Sequence, residues 1–173
     1  MKTVLETPRL RLREVSREDL DFVAAMRSHP EVMRFYPKLY SREESAEWIE
    51  RQLDRYARHG YGLWLAEDRL TAEPRGAVGL AMQEVDGAEE PEIGYMIHHP
   101  YWRLGLASEA ALATRDWAFG TLGLPRVIAL IRPENLPSQG VARKLGMTPR
   151  RRTLFYGFEH IVFEVESTAC AAW

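Results

Sequence analysis

Cysteine is nearly missing from this chain of 173 residues, and the single one, Cys170, excludes an internal disulfide framework and suits a reducing, cytoplasmic setting. An excess of one charge is missing too. Lys and Arg number 23 against 25 Asp and Glu, a net charge of −2, so neither nucleic acid nor a membrane surface is an expected partner. No apolar run approaches the roughly 20 residues of a transmembrane helix. The opening MKTVLETPRLRLREV lacks the apolar segment of a signal peptide. There is no internal repeat and no low-complexity tract. No G-x-S-x-G elbow occurs, which argues against a serine hydrolase. The five histidines show no metal-ligand spacing beyond the adjacent His98 and His99, so no metal is expected. With 46% hydrophobic and 28% charged residues, the composition is that of one globular domain over residues 1–173. Residues 167–173 read as a loose tail.

The chain is organised around Ile93 to Ala118, which reads as strand, short basic turn and long helix. Glu92 to His98 is apolar and rich in strand formers. By alternation Glu92, Gly94 and Met96 share one sheet face, and Ile93, Tyr95 and Ile97 the other. Pro100 to Ala107 breaks this pattern. Leu106, Ala110, Ala113 and Trp117 then recur at helical spacing, with Leu112 and Phe119 beside them. Gly105 and Ala107 are small residues where the helix begins, so the free N–H groups of its first turn can face an anion, typically a phosphate.

In chain order, Arg9 to Val15 alternates charged and apolar residues, as a half-buried strand does, with its arginines on a solvated face. Ser16 opens a helix that ends near His29-Pro30, and Pro30 to Tyr36 reads as a short further helical turn. Ser41 opens the next helix with Glu44 in the capping-box position, and Gly60 closes it. Strands follow at Tyr61–Ala66 and Gly76–Val85, then a loop at Asp86–Glu90. Three consecutive antiparallel strands are the simplest topology. After the central helix, Arg126 to Ile131 is an uninterrupted apolar strand. The strand–helix–strand order predicts a right-handed crossover with this strand parallel to the one through Ile97. A helix over Gln139–Leu145 and a final hairpin around Tyr156-Gly157 complete the reading. Arg150-Arg151-Arg152 reads as a solvated edge, with docking of an anionic group as its alternative.

Trp102-Arg103-Leu104-Gly105-Leu106-Ala107 resembles the acetyl-CoA motif of the GNAT N-acetyltransferases, Q/R-x-x-G-x-G/A, with Trp102 in the first position as in the RimJ/RimL-like branch. Asn135-x-x-Ser138 followed by Lys144-Leu145-Gly146-Met147 resembles the second GNAT motif. Thr7 to Arg13 and Glu109-Ala110 are similar to the same branch, and the resemblance runs from Thr7 to about Glu166. It implies an α/β GNAT fold: a mixed, centrally splayed sheet of about 6–7 strands with helices on both faces. It also implies acetyl-CoA as co-substrate, direct transfer in a ternary complex, and a primary amine acceptor. That acceptor is a protein N-terminus or a small amine, amino acid or antibiotic; a homodimer is compatible. The cofactor residues implied are Tyr95, Met96, Ile97, Trp102, Arg103, Leu104, Gly105, Leu106, Ala107, Ser108, Asn135 and Ser138. Phe35, Tyr36, Tyr40 and Trp48 fall on the acceptor wall, where core packing is the competing role.

Amide formation from a thioester needs a neutral amine, so a general base is useful. Glu92 is the first choice, against the alternative that it only pairs with an arginine; His98 and His99 follow. Many family members carry a tyrosine acid four residues before the glycine of K-L-G-F, and here that position is Ala142. Ser138 is the replacement the branch suggests, unless it merely caps its helix; Tyr156 or solvent are alternatives. A backbone N–H near Met96 or Ile97 would polarise the carbonyl. The competing function is a non-catalytic acyl-CoA-binding or sensor domain.

Overall fold

The computed structural model describes residues 2–168. Eight strands form one sheet: β1 (Thr3–Glu6), β2 (Leu10–Arg13), β3 (Leu63–Asp68), β4 (Pro74–Val85), β5 (Ala88–Ile97), β6 (Arg126–Ile131), β7 (Thr148–Phe155) and β8 (Phe158–Glu166), in the order β1-β2-β3-β4-β5-β6-β8-β7. Four helices complete the fold: α1 (Leu20–Arg27), α2 (Arg42–His59), α3 (Leu106–Gly120) and α4 (Leu136–Lys144). The sheet exceeds the expected six or seven strands by β1, a four-residue edge strand antiparallel to β2. Its alternation is too short to read in the sequence.

β2 to β5 form an antiparallel meander. The β4–β5 turn is tighter than the expected loop. Asp86 and Gly87 alone form it, at φ +53° and +81°. Both angles are left-handed, the geometry that suits a two-residue hairpin and that Asp-Gly tolerates. β5 and β6 are parallel, as the crossover requires, but only Glu92 and Ile128 pair. Beyond them β5 stays with β4 and β6 stays with β8, so the sheet opens into a V.

Each face of the sheet carries its own core. On one, α3 covers Leu10, Leu12, Trp64, Val78, Leu80, Ile93 and Ile97. On the other, α1 and α2 cover Val15, Val23, Met26, Trp48, Ile49, Ala77 and Met96. The buried row of α3 is Leu106, Ala110, Thr114 and Ala118, not the expected Leu106, Ala110, Ala113 and Trp117. Thr114 can be buried because its hydroxyl donates to the Ala110 carbonyl at 2.9 Å. Leu112 lies outside the row and is exposed, while Trp117 meets the buried Trp64 edge-on at 5.1 Å.

Residues 30–36 form turns rather than a helix. α4 begins at Leu136, three residues earlier than expected, because Asn135 caps it by accepting the Ser138 N–H at 3.2 Å. Of the expected loose tail, Ser167 is tied by its N–H to the Pro125 carbonyl at 2.8 Å; residues 169–173, with Cys170, lie outside the described residues. The arginines of β2 are not simply solvated: Arg11 and Arg13 both pair with the buried Glu67, and Arg13 also with Asp19. Arg150, Arg151 and Arg152 pair with Glu164, with Asp86 and Glu90, and with Glu159, so the edge reading of this run holds. Among the described residues, no helix is long and apolar enough to cross a membrane.

Candidate active site

The V between β5 and β6 is the consequence of two hydrogen-bonding habits on one strand. The His98 N–H donates to the Arg75 carbonyl at 2.9 Å, and the β4–β5 register continues from there. In an antiparallel pair such bonds fall on every second residue. Met96, Gly94 and Glu92 therefore turn their backbone groups toward β4. Ile93, Tyr95 and Ile97 turn theirs toward β6, where no partner strand remains. This corrects the expectation for Met96: its amide serves the sheet, whereas those of Tyr95 and Ile97 face the opening. The Ile97 carbonyl is taken by the Trp102 indole N–H at 2.7 Å, which fixes that ring at the mouth of the V.

Side chains alternate oppositely. Glu92 and Met96 point to the α1/α2 face, and Ile93, Tyr95 and Ile97 to the α3 face. Glu92 is half-buried and makes no ion pair among the described residues; Gln83 Nε2 donates to it at 2.8 Å. Burial raises its pKa above the usual carboxylate range, against the Gln83 bond, the Leu130 amide and the charge of Arg55, which favour the anion. Two tyrosines sense that carboxylate. Tyr36 is 42% exposed as a whole, but desolvation at its hydroxyl and then Glu92 push it up to about 12, with Arg27 opposing. Tyr95 is pushed up by burial, then Glu92, then Tyr36. Glu92, Tyr36, Tyr95 and Arg27 therefore share one electrostatic neighbourhood. The Tyr95 hydroxyl also donates to the Ser138 carbonyl at 2.8 Å, strapping β5 to α4. The Ser138 hydroxyl makes no hydrogen bond among the described residues, and its capping role belongs to Asn135.

The other end of the V meets the start of α3. Gly105 is its N-cap at φ +78°, a left-handed angle that glycine adopts without strain, and no side chain caps the helix. α2 differs: Ser41 and Glu44 complete a capping box there. The first-turn N–H groups of α3, at Leu106, Ala107 and Ser108, are therefore free to face an anion. Arg103 is exposed and also left-handed at φ +63°. Leu104 is exposed, and Leu106 sends its side chain into the core, so only its backbone can serve a ligand. A clamp holds the turn. Arg9 Nη1 donates to the Leu104 carbonyl at 2.8 Å, and its backbone N–H and Nε donate to Glu109 at 2.9 and 2.6 Å. Thr7 donates to the same carboxylate at 2.6 Å.

The remaining expected residues are divided. Trp48 is buried in the α1/α2 core, which favours packing for it. Tyr40 packs beside it with Arg27 over its ring at 4.1 Å. Phe35 is half-buried, with Arg34 5.5 Å from its ring. His98 and His99 join His29 in a ring cluster, with His98 lowered by burial and by the other two. Tyr156 is 78% exposed at its hairpin tip and packs on Phe155. No group of three or more His, Cys, Asp or Glu that could hold a metal is found among the described residues. Gln83, Arg27 and the Arg9 clamp escaped the sequence reading. Gln83 faces Glu90 and so lies diagonal to Glu92 across the hairpin, a position its length could have flagged; nothing local flags the other two.

An uncapped helix N-terminus beside a split parallel strand pair is the arrangement the sequence motifs called for. The acetyltransferase (GNAT) domain pattern matches residues 9–148. Bacillus subtilis YkkB, an uncharacterized protein, is 35% identical over 84% of this chain and 86% of its own length. The uncharacterized N-acetyltransferase YoaA of the same organism is 32% identical over 84% of this chain and 83% of its own. An acetyltransferase structure from Agrobacterium tumefaciens superposes with a TM-score of 0.83 at 26% identity, covering 96% of this chain and 95% of that one. The chain belongs to the GNAT acetyltransferase family.

Proposed function

We propose that the protein is an acetyl-CoA-dependent N-acetyltransferase of the RimJ/RimL-like branch, acetylating a primary amine by direct transfer in a ternary complex in the cytoplasm. The position of Glu92 carries this reading. It is an unpaired carboxylate at the last residue pair joining β5 to β6, facing the α1/α2 wall, with its pKa raised by burial. Acetyl-CoA supplies the activated thioester when bound. The N–H groups of Leu106, Ala107 and Ser108, helped by Arg103, would hold its pyrophosphate. The Tyr95 and Ile97 amides, together with Asn135, line the V that would receive its arm. Met96 contributes by packing rather than by its amide.

Each remaining task falls to a residue of the chain. An amine is mostly protonated at neutral pH, and Glu92 takes that proton onto a carboxylate oxygen, directly or through a water. The raised pKa makes the carboxyl a stronger base than an ordinary carboxylate. The Ile97 or Tyr95 N–H, preset by the sheet, polarises the carbonyl without reorganising. The Ser138 hydroxyl is available as proton donor to the departing sulfur. Tyr36 and Tyr40, with Phe35 at the rim, orient the acceptor, a protein N-terminus or a small amine.

A second reading, a non-catalytic acyl-CoA sensor, draws on Ala142. This residue is fully buried and puts no hydroxyl where many family members place their acid. Calorimetric titration of acetyl-CoA and CoA, followed by thiol release over a panel of amines and N-terminal peptides, separates the two. Turnover that falls on Glu92→Gln substitution supports the enzyme. Tight binding with no turnover on any acceptor supports the sensor. Absence of binding refutes both.

A further inference from the structure

Arg27, at the end of α1, is only 4% exposed, yet no carboxylate among the described residues pairs with it. Its Nε is enclosed without a hydrogen-bond partner, and no acceptor is found for its terminal nitrogens among the described residues. Arg13 shows the usual solution for a buried guanidinium in this protein: at 11% side-chain exposure it is held by both Asp19 and Glu67. Arg27 has instead two aromatic faces, Tyr40 at 4.1 Å and Trp48 at 5.4 Å. Such stacking holds the guanidinium plane and leaves its N–H edge unspent. A buried cation without a counter-charge is destabilising, and one oriented by two rings is prepared for an anion that arrives from outside.

The position of this cation matters as much as its isolation. Tyr40 and Trp48 pack in the cluster that contains Met96, on the β5 face shared with Glu92. Tyr36 is within electrostatic reach of both Glu92 and Arg27, raised by Glu92 and lowered by Arg27. Arg55, half-buried on α2, is a cation within electrostatic reach of Glu92; its Nη1 donates to the Gln52 side-chain Oε1 at 3.4 Å, and it makes no ion pair among the described residues. Nearby Glu44 is occupied by Lys38. The wall thus offers a carboxylate at one end and an unspent guanidinium at the other.

We propose that the acceptor is a primary amine that also bears a carboxylate, with the amine at Glu92 and the carboxylate on the edge of Arg27. This rests on the acetyltransferase reading and narrows it. A free amino acid and a peptide with an acidic residue near its N-terminus share this chemistry. A polyamine, cationic throughout, is disfavoured by Arg27.

The test compares methionine, phenylalanine and glutamate with their α-amides, and an acidic N-terminal peptide with its neutral counterpart and with spermidine, by thiol release. Each acceptor is run with wild type, Arg27→Met and Arg27→Lys. One charge-assisted pair predicts a preference of about tenfold or more in kcat/KM for the carboxylate partner. Arg27→Met should abolish that preference, acting mainly through KM and lowering use of the acids more than of the amides; Arg27→Lys should restore part of it. A preference confined to the peptides identifies the source as a protein N-terminus, and one shared by the amino acids identifies a small acceptor; both support the proposal. Equal use of amide and acid, a preference for spermidine, or an equal loss on both in Arg27→Met overturns it. Binding of N-acetylmethionine against its amide to the CoA-loaded protein gives a readout without turnover. If no acceptor reacts but the acid still binds through Arg27, the acetyltransferase reading fails and the carboxylate site stands. If the acid does not bind either, the site fails as well.

Discussion

Glu109 offers the sharpest test of how the N-terminal segment holds the start of α3. Its carboxylate accepts from the Thr7 hydroxyl, from the Arg9 backbone N–H and from the Arg9 guanidinium. Replacement by Ala removes all three. Thr7 suffers least, because its single hydroxyl proton can turn to the Leu10 carbonyl, 3.2 Å away. The Arg9 side chain is half exposed, so its ion pair counts for about 0.5–1 kcal/mol after solvent screening. The Arg9 N–H and the Thr7 hydroxyl, bonded to a charged acceptor, contribute roughly 1 kcal/mol each. Glu109→Ala should therefore cost about 2–3 kcal/mol. Glu109→Gln should cost only about 1 kcal/mol, because its carbonyl oxygen can still accept from Thr7 and the Arg9 amide. The pH dependence has a definite sign. Burial pushes the Glu109 pKa up, but the bonds from Thr7 and Arg9 outweigh it and leave the pKa below the ordinary value. A carboxylate with a depressed folded pKa stabilises fully above its unfolded pKa of about 4.3, and the contribution disappears as pH falls through the folded value. Urea unfolding of wild type and both variants at pH 7 and at stepwise lower pH reads this directly. A Glu109→Ala cost below about 0.5 kcal/mol, or a Glu109→Gln gap that stays constant on acidification, would refute the clamp. The same variants should also weaken CoA binding, since Arg9 loses the partner that aims it at the Leu104 carbonyl.

Glu92→Gln should lower kcat about 100-fold or more and remove the rise of kcat/KM with pH through the raised Glu92 pKa, measured by thiol release across pH. The same substitution should stabilise the fold at pH 7. A carboxyl whose folded pKa is raised opposes folding above its unfolded pKa, so the gain should vanish in acid, as urea midpoints would report. Tyr95→Phe removes the strap to Ser138 and should cost about 1 kcal/mol while raising KM for acetyl-CoA more than it lowers kcat, read by paired unfolding and kinetics. Gly76→Ala places a Cβ 2.3 Å from the Met96 carbonyl oxygen and 2.9 Å from the Ile97 Cα, in the β4–β5 ladder behind the V. Backbone has to move there, so a loss of about 1–3 kcal/mol or more in denaturant unfolding is expected, with weaker CoA binding.

Local chemistry made much of this molecule legible. The Ser41–Glu44 box, the Gly60 stop and the apolar run of β6 each follow from spacing within a few residues, and the structure keeps all three. Failures occur where a distant partner decides. The expected row Leu106, Ala110, Ala113 and Trp117 left out Thr114, which is buried because its hydroxyl donates to the Ala110 carbonyl. Arg11 and Arg13 looked solvated because Glu67 lies more than 50 residues away. The site shows the same division. Glu92 and Gly105 sit in motifs, and alternation along β5 set the face of Glu92 in advance. The choice between the Met96 and Ile97 amides required knowing which bonds β4 had already taken. Arg27 is the extreme case. In sequence it is one basic residue at a helix end; only the fold reveals that no acidic group among the described residues pairs with it. Its isolation is a property of the whole ion-pair network, in which 22 pairings among the described residues leave this buried cation out. If the acceptor carries a carboxylate as proposed, its selection rests on what this ion-pair network omits.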